Sequence, residues 1–126
     1  MSAIKGLSAA YGLGRVGFGL FVTSSPERMG RTWVGEDADR PAAGVILRAL
    51  GFRDIALGAG LAEAALRGDP RGWLAVTMLS DLGDVAATLI GRSRIDPRGV
   101  AITTALAGSG ALAAGILLLA SEGEEE

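Results

Sequence analysis

The sequence predicts an all-α protein, a four-helix transmembrane bundle, and three observations predict it. Four stretches, each of roughly twenty residues, are dominated by Ala, Gly, Leu and Val, which is the length a helix needs to cross a hydrocarbon core ~30 Å thick. The four prolines, Pro26, Pro41, Pro70 and Pro97, punctuate those stretches and none interrupts one. Strand signals are weak, because the β-branched residues are scattered among Ala and Gly.

The first stretch runs from Ile4 to Thr23, with Lys5 near its start and Arg15 near its middle. Met1–Lys5 followed by apolar residues has the outline of a secretory signal. Arg15 interrupts the apolar core, however, and Thr23-Ser24-Ser25-Pro26 is a poor cleavage site. Gly12-Leu13-Gly14-Arg15-Val16-Gly17 is a literal G-x-G-x-x-G, with Glu36 and Asp37 downstream. A dinucleotide fingerprint needs a buried strand before the glycines. Ala3 to Tyr11 is instead rich in Gly, Ala and Ser, so the expectation is a glycine face that another helix approaches.

Ser25-Pro26 is expected to open a short interfacial turn through Glu27, Arg28 and Met29, and the connection to Arg40 carries Trp33. The second stretch, from about Pro41 to Leu66, holds Arg48, Arg53, Asp54 and Glu63. Arg48 and Glu63 lie near its ends and can snorkel. The third, from about Pro70 to Gly91, holds Asp81 and Asp84. Asp69-Pro70 and Asp96-Pro97 each read as a carboxylate N-cap followed by proline in the first helical turn. Trp33 and Trp73 both fall near span ends, where indole favours the membrane interface. The last stretch, Gly99 to Ser121, carries no charge at all. Residues 1–121 are thus expected to form a single membrane domain, and 122–126 an acidic C-terminal tail.

Composition removes much chemistry. With Cys 0 and His 0, there are no disulfides, thiolates, Cys/His zinc sites or imidazole bases. Lys5 is the only lysine and lies near the N-terminus, away from any buried position suited to Schiff-base chemistry. The formal net charge of −2 gives no basic nucleic-acid footprint. No catalytic residue, cofactor or metal site is assigned, and a non-enzymatic role is favoured.

What remains is a set of charges in apolar surroundings: Arg15, Arg53, Asp54, Asp81 and Asp84. Ionisable groups in hydrocarbon are costly and normally face a bundle interior, paired. Thr77, Asp81, Asp84 and Thr88 fall at i, i+4, i+7 and i+11, one polar stripe along one helix face. Arg15 and Arg53 are expected to neutralise Asp81 and Asp84 and hold the bundle in register. Two arginines against three aspartates leave one carboxylate formally uncompensated; if Asp54 is also buried, one of the three is expected to carry a proton, and a titratable carboxyl beside a fixed guanidinium is what a proton relay would need. Small residues recur every four positions at Ala101, Ala105, Ser109 and Ala113, at Asp54, Gly58 and Ala62, and at Ala56, Gly60 and Ala64. Such faces suit close helix packing, within the chain or in a homo-oligomer.

Arg48-Ala49-Leu50-Gly51-Phe52-Arg53-Asp54-Ile55-Ala56-Leu57-Gly58, followed by Asp81-Leu82-Gly83-Asp84 and preceded by Gly14-Arg15, carries a resemblance. The chain resembles small uncharacterised bacterial four-helix integral membrane proteins with an R-x-L-G-x-R-D-x-x-L-G segment and a later D-x-x-D, and is loosely similar to DoxX-like proteins. The resemblance implies fold and location, and brings no activity. DoxX-like proteins have been linked to quinone-coupled redox complexes, a role that this chain, without a redox ligand, would need a partner subunit to fill.

The expectation is therefore a multi-pass protein of the inner (plasma) membrane with an accessory or scaffold role. Its expected partners are the lipid bilayer and either further copies of itself or another membrane subunit, with no nucleic acid. Three alternatives stand beside it: proton, ion or small-solute transport along the Asp81/Asp84 stripe, a membrane-embedded enzyme acting on a lipid-like substrate, and a soluble Ala-rich helical bundle. Arg28, Arg31, Arg40, Arg92, Arg94 and Arg98 lie in the first and third connections, against Lys5, Arg67 and Arg71 on the terminal side. Positive-inside logic favours outward-facing termini.

Overall fold

The computed structural model describes residues 1–123, which are almost wholly helical, with no strand among them. Four long helices, α1 (Ala3–Ser24), α3 (Pro41–Arg67), α4 (Arg71–Ile90) and α5 (Pro97–Gly123), are joined by a short α2 (Pro26–Val34) and two 3-10 turns, Gly35–Asp39 and Arg92–Arg94. Glu124, Glu125 and Glu126 of the expected acidic tail lie outside the described residues, while Glu122 continues α5.

Local chemistry sets the helix ends. The Ser2 side chain caps α1, accepting from the Lys5 N–H at 3.2 Å. Pro26 has no N–H and pushes Ser25 out of the helical region (φ −138°, ψ 63°), so α1 stops there. The expected short turn after Pro26 is instead a nine-residue helix. Proline suits its start, where an N–H would have no helical partner, and Glu27 in the first turn and Arg31 in the last complement the helix dipole. Gly35, at φ +72°, then turns the chain in a backbone region where side chains are strained.

Asp96 behaves as expected, its Oδ1 accepting from the Arg98 N–H at 2.7 Å. Asp69 differs by one residue. Pro70 occupies the cap position of α4, and Asp69 Oδ1 reaches over it to the Arg71 N–H at 3.0 Å. The Arg71 guanidinium also binds this carboxylate and holds it below the usual carboxylate range.

The helices pack as two antiparallel pairs. In α1/α3, backbone meets backbone: a Cβ at Gly12 would lie 2.6 Å from the Gly58 carbonyl oxygen, and one at Gly19 would lie 2.6 Å from that of Gly51. Both helices thus carry glycines seven residues apart, close to two turns, facing each other. Gly14 and Gly17 have nothing within 4 Å, so of the expected glycine face only Gly12 is used, with Gly19 as its partner along the helix. In α4/α5, Gly110 lies against Asp81 and Gly115 against Met78. The outward-facing residues of α5 include Ala101, Ala105 and Ser109, contrary to a packing role within the chain. The buried face is Gly99, Thr103, Ala111, Ala114 and Ser121. The α3 faces fit better: Gly58 and Ala62 meet α1, and Gly60 sits beneath the Trp73 ring.

The interior is made mostly of small side chains, with Val22, Leu47, Leu57, Leu61 and Leu74 among them. Leu61 and Leu74 are the only large aliphatic residues among the largest fully buried ones, which otherwise are Thr77 and Ser8. Leu7, Leu13, Leu20, Val45, Ile46, Phe52, Leu79, Ile90, Leu112, Ile116 and Leu119 are exposed, at least one from each long helix. Helices α4 and α5 are long and apolar enough to cross a membrane, by length and composition. Helices α1 and α3 are as long, but Arg15 in the first and Arg48, Arg53, Asp54 and Glu63 in the second lower their mean hydropathy.

The glycine contacts are open to a direct check. Gly58→Ala places a methyl group against the Gly12 carbonyl and should destabilise the fold by about 1–3 kcal/mol. Gly14→Ala meets open space and should be neutral or stabilising by up to ~1 kcal/mol. Thermal unfolding followed by circular dichroism distinguishes the two, and equal Tm shifts would refute the backbone contact.

Candidate functional site

All five charged residues of the apolar stretches converge at mid-height between the two helix pairs. Arg15 projects from α1 toward both α3 and α4. Its Nη1 donates to Asp81 Oδ2 at 2.9 Å, and its Nη2 donates to Asp81 Oδ1 at 2.8 Å and to Asp54 Oδ1 at 2.9 Å. Arg53, on α3, holds Asp84 in the same two-pronged way, at 3.0 and 2.8 Å. Its Nη2 also reaches Asp54 Oδ1 at 3.5 Å. Asp54 therefore bridges two bidentate pairs, a geometry that suits the planar guanidinium fork.

The network has an inner and an outer end. The side chains of Arg15, Asp54 and Asp81 are only 9%, 7% and 7% exposed, whereas Arg53 and Asp84 are 32% and 20% exposed. The polar stripe on α4 turns inward throughout: Thr77, Asp81 and Thr88 are buried and Asp84 is half-buried. No shift in register of one residue would keep all four inside.

Several participants were not foreseen. The Tyr11 hydroxyl donates to the Gly110 carbonyl at 3.0 Å and lies 3.4 Å from Asp81 Oδ2, tying α1 to α5. Tyr11 stands four residues before Arg15, on the same helix face, which is the signal that would have found it. Trp33 was expected at the membrane interface. Its Nε1 donates to Thr88 Oγ1, near the end of α4, at 3.0 Å, and that hydroxyl donates to the Asp84 carbonyl at 2.7 Å. Gly99 packs on the Trp33 carbonyl, so α2 is clamped between α4 and the start of α5.

Beside the network lies a cavity of about 310 Å³. Arg15, Asp54, Asp81 and Asp84 form one wall, and Phe18, Met29, Trp33, Leu106 and Ala107 supply most of the rest. Phe18, Gly14 and Leu106 are exposed residues in the middle of α1 and α5. The cavity therefore opens sideways between those helices, with α2 closing one end. A smaller annex of about 30 Å³ continues past Asp54 toward Val22, Leu47 and Arg53. Among the described residues no group of acidic side chains is arranged to hold a metal ion.

The two-sided grip of Arg15 implies a large cost for its removal. Arg15→Gln strands Asp81 and Asp54 in the interior and should lower stability by about 3–5 kcal/mol. Arg40→Gln, which breaks an exposed pair with Asp37, should change it by less than about 1 kcal/mol. Denaturation midpoints of the two variants test this, and a small effect at Arg15 would contradict it.

No family model, curated protein or solved structure matches the chain.

Proposed function

We propose that the chain is a four-span integral protein of the inner (plasma) membrane, with an accessory or scaffold role. In this reading the Arg15/Arg53/Asp54/Asp81/Asp84 network is the lock that fixes its helices. The observation that carries it is the reversal of the usual radial order. Most large aliphatic side chains face outward, on all four long helices, while glycine, alanine, hydroxyls and ion pairs fill most of the centre beside a few leucines. In water such a surface would be one broad apolar patch. In lipid it is the expected exterior, and small residues supply the close interior contacts. The long helices, of 20 to 27 residues, span about 30–40 Å at the α-helical rise.

The pairing geometry favours a structural over a catalytic use of Asp81 and Asp84. Each has both oxygens occupied by a guanidinium, which leaves neither free as a general acid or base. It also weighs against a relay along that stripe. The exposed face of Ala101, Ala105 and Ser109 on α5 is available to a second copy or another membrane subunit.

Arg28, Arg31, Arg40, Arg92, Arg94 and Arg98 gather at the end of the bundle that holds α2 and the turn before α5. The positive-inside rule places that end in the cytoplasm and the termini outside.

Two measurements test this. After cell lysis the chain should stay in the membrane fraction through alkaline carbonate and leave it only in detergent; release by carbonate would defeat the membrane assignment. A cysteine at Ser93 should resist a membrane-impermeant maleimide in intact cells, and one at Ser2 should react. The reverse pattern would invert the topology.

A further inference from the structure

We infer that the lateral cavity is a binding site for a hydrophobic primary amine, whose ammonium group docks on Asp54. This goes beyond the accessory role, and it rests on the membrane reading for its lipid-side entrance.

The inference starts from an inventory of donors and acceptors. Asp81 and Asp84 accept guanidinium N–H groups on both oxygens. Asp54 accepts them on Oδ1 alone, and among the described residues nothing donates to its Oδ2. The side chain is 7% exposed and lines the cavity. A carboxylate oxygen in such a place is expensive to leave without a donor. Arg15 Nε and Arg53 Nε are buried without partners of their own, yet no guanidinium N–H of either arginine reaches Oδ2, so the donor to that oxygen is left to the occupant.

Charge points the same way. With all three carboxylates ionised against two guanidiniums, the network carries one negative charge in excess. An anionic ligand would add to that excess in a poorly solvated space, and a neutral one would leave it standing. A monovalent cation cancels it. The remaining walls describe the rest of the molecule. Phe18, Met29, Trp33 and Leu106 form an apolar and aromatic lining, suited to a hydrocarbon or aryl body. Aromatic faces also attract an ammonium group. The volume of about 310 Å³ lies at the small end of ligand sites. The mouth between α1 and α5 opens through Phe18 and Leu106, onto the same apolar exterior as the rest of those helices, so the ligand would enter from lipid.

Two sources carry this chemistry: a free arylalkylamine or alkylamine, and the amino headgroup of a phospholipid. The test uses the full chain in phosphatidylcholine nanodiscs with radiolabelled 2-phenylethylamine as probe. Saturable binding is expected. Unlabelled 2-phenylethanol and phenylacetate should compete at least about tenfold more weakly than the amine, the loss expected for removing a charge-assisted hydrogen bond. The trimethylated ammonium analogue, which has the charge but no N–H, should also compete more weakly. Leu106→Trp narrows the cavity mouth without touching the ion pairs and should abolish saturable binding. Asp54→Asn should weaken it by about tenfold or more. Phosphatidylethanolamine added to the discs should displace the probe if the aminolipid is the occupant, and leave binding unchanged if a free amine is. Absence of saturable binding to the folded parent, equal competition by the alcohol, or unaltered binding in Leu106→Trp would each overturn the site, whether or not Asp54→Asn folds. Membrane extraction and amine binding are separate readouts, so the failure of one proposal is distinguishable from the failure of the other.

Discussion

The rest of the structure depends on the grip of one guanidinium on two helices at once. Arg15 leaves α1, chelates Asp81 on α4 and shares Asp54 on α3. It can do so only because α1 and α3 touch through their backbones at Gly12/Gly58 and Gly19/Gly51. Any side chain at those glycines would push the helices apart and lengthen the reach to Asp54. The glycine contact and the ion pair are thus one device: the first sets the distance, the second sets the register. Replacing buried ion pairs by apolar side chains is often neutral or favourable, so the network is weak grounds for stability as such. Its effect is to exclude other arrangements, since every sliding or rotation of α4 leaves a carboxylate in the interior without its cation.

That device accounts for the inverted radial order. Backbone contact leaves no room for large side chains between α1 and α3, and the charged network occupies the space between the helix pairs. The large aliphatic residues admitted to the interior are Val22, Leu47, Leu57, Leu61 and Leu74, and Tyr11, Met78, Leu117 and Leu118 pack around Leu61, Leu74 and Ala114. Most of the other large apolar side chains, among them Leu7, Leu13, Phe18, Val45, Ile46, Phe52, Leu79, Leu112 and Leu119, face outward. On the proposed membrane reading that arrangement carries no penalty, because acyl chains solvate those side chains as well as a protein core would.

Much of this was legible in the chain and some was not, for physical reasons. The prolines set the ends of the long helices to within about two residues, because proline acts locally through its missing N–H and its effect on the preceding residue. The α4 stripe was legible because helical periodicity alone puts Thr77, Asp81, Asp84 and Thr88 on one face. The five charges could be expected to meet, but their pairing could not be read, since it depends on how four helices are arranged around each other. Small residues were ambiguous for the same reason: Gly12 and Gly19 pack, Gly14 and Gly17 do not, and Ala101, Ala105 and Ser109 face outward. Helix α2 was underestimated because nine residues with a charged, Gly-containing sequence form a weak helix in isolation. It persists where Trp33 binds Thr88 and Gly99 packs on the Trp33 carbonyl, contacts formed only in the assembled fold.

The role of Asp54 sets the limit of a purely structural account. Two bidentate pairs, Arg15 with Asp81 and Arg53 with Asp84, already join α1 to α4 and α3 to α4. Asp54 adds a bridge between the two guanidiniums, but it uses only Oδ1 to do so. The carbonyl oxygen of an asparagine would occupy the same position, accept from both arginines and avoid burying a further charge. As a lock, then, the third carboxylate is more than the geometry requires, and its charge costs desolvation energy without an additional donor to offset it. Beyond strengthening its bonds to the two guanidiniums, the surplus charge is what an entering cation would meet under the proposed amine site. The side chain that carries it lines a cavity that opens between α1 and α5 through the exposed Phe18 and Leu106.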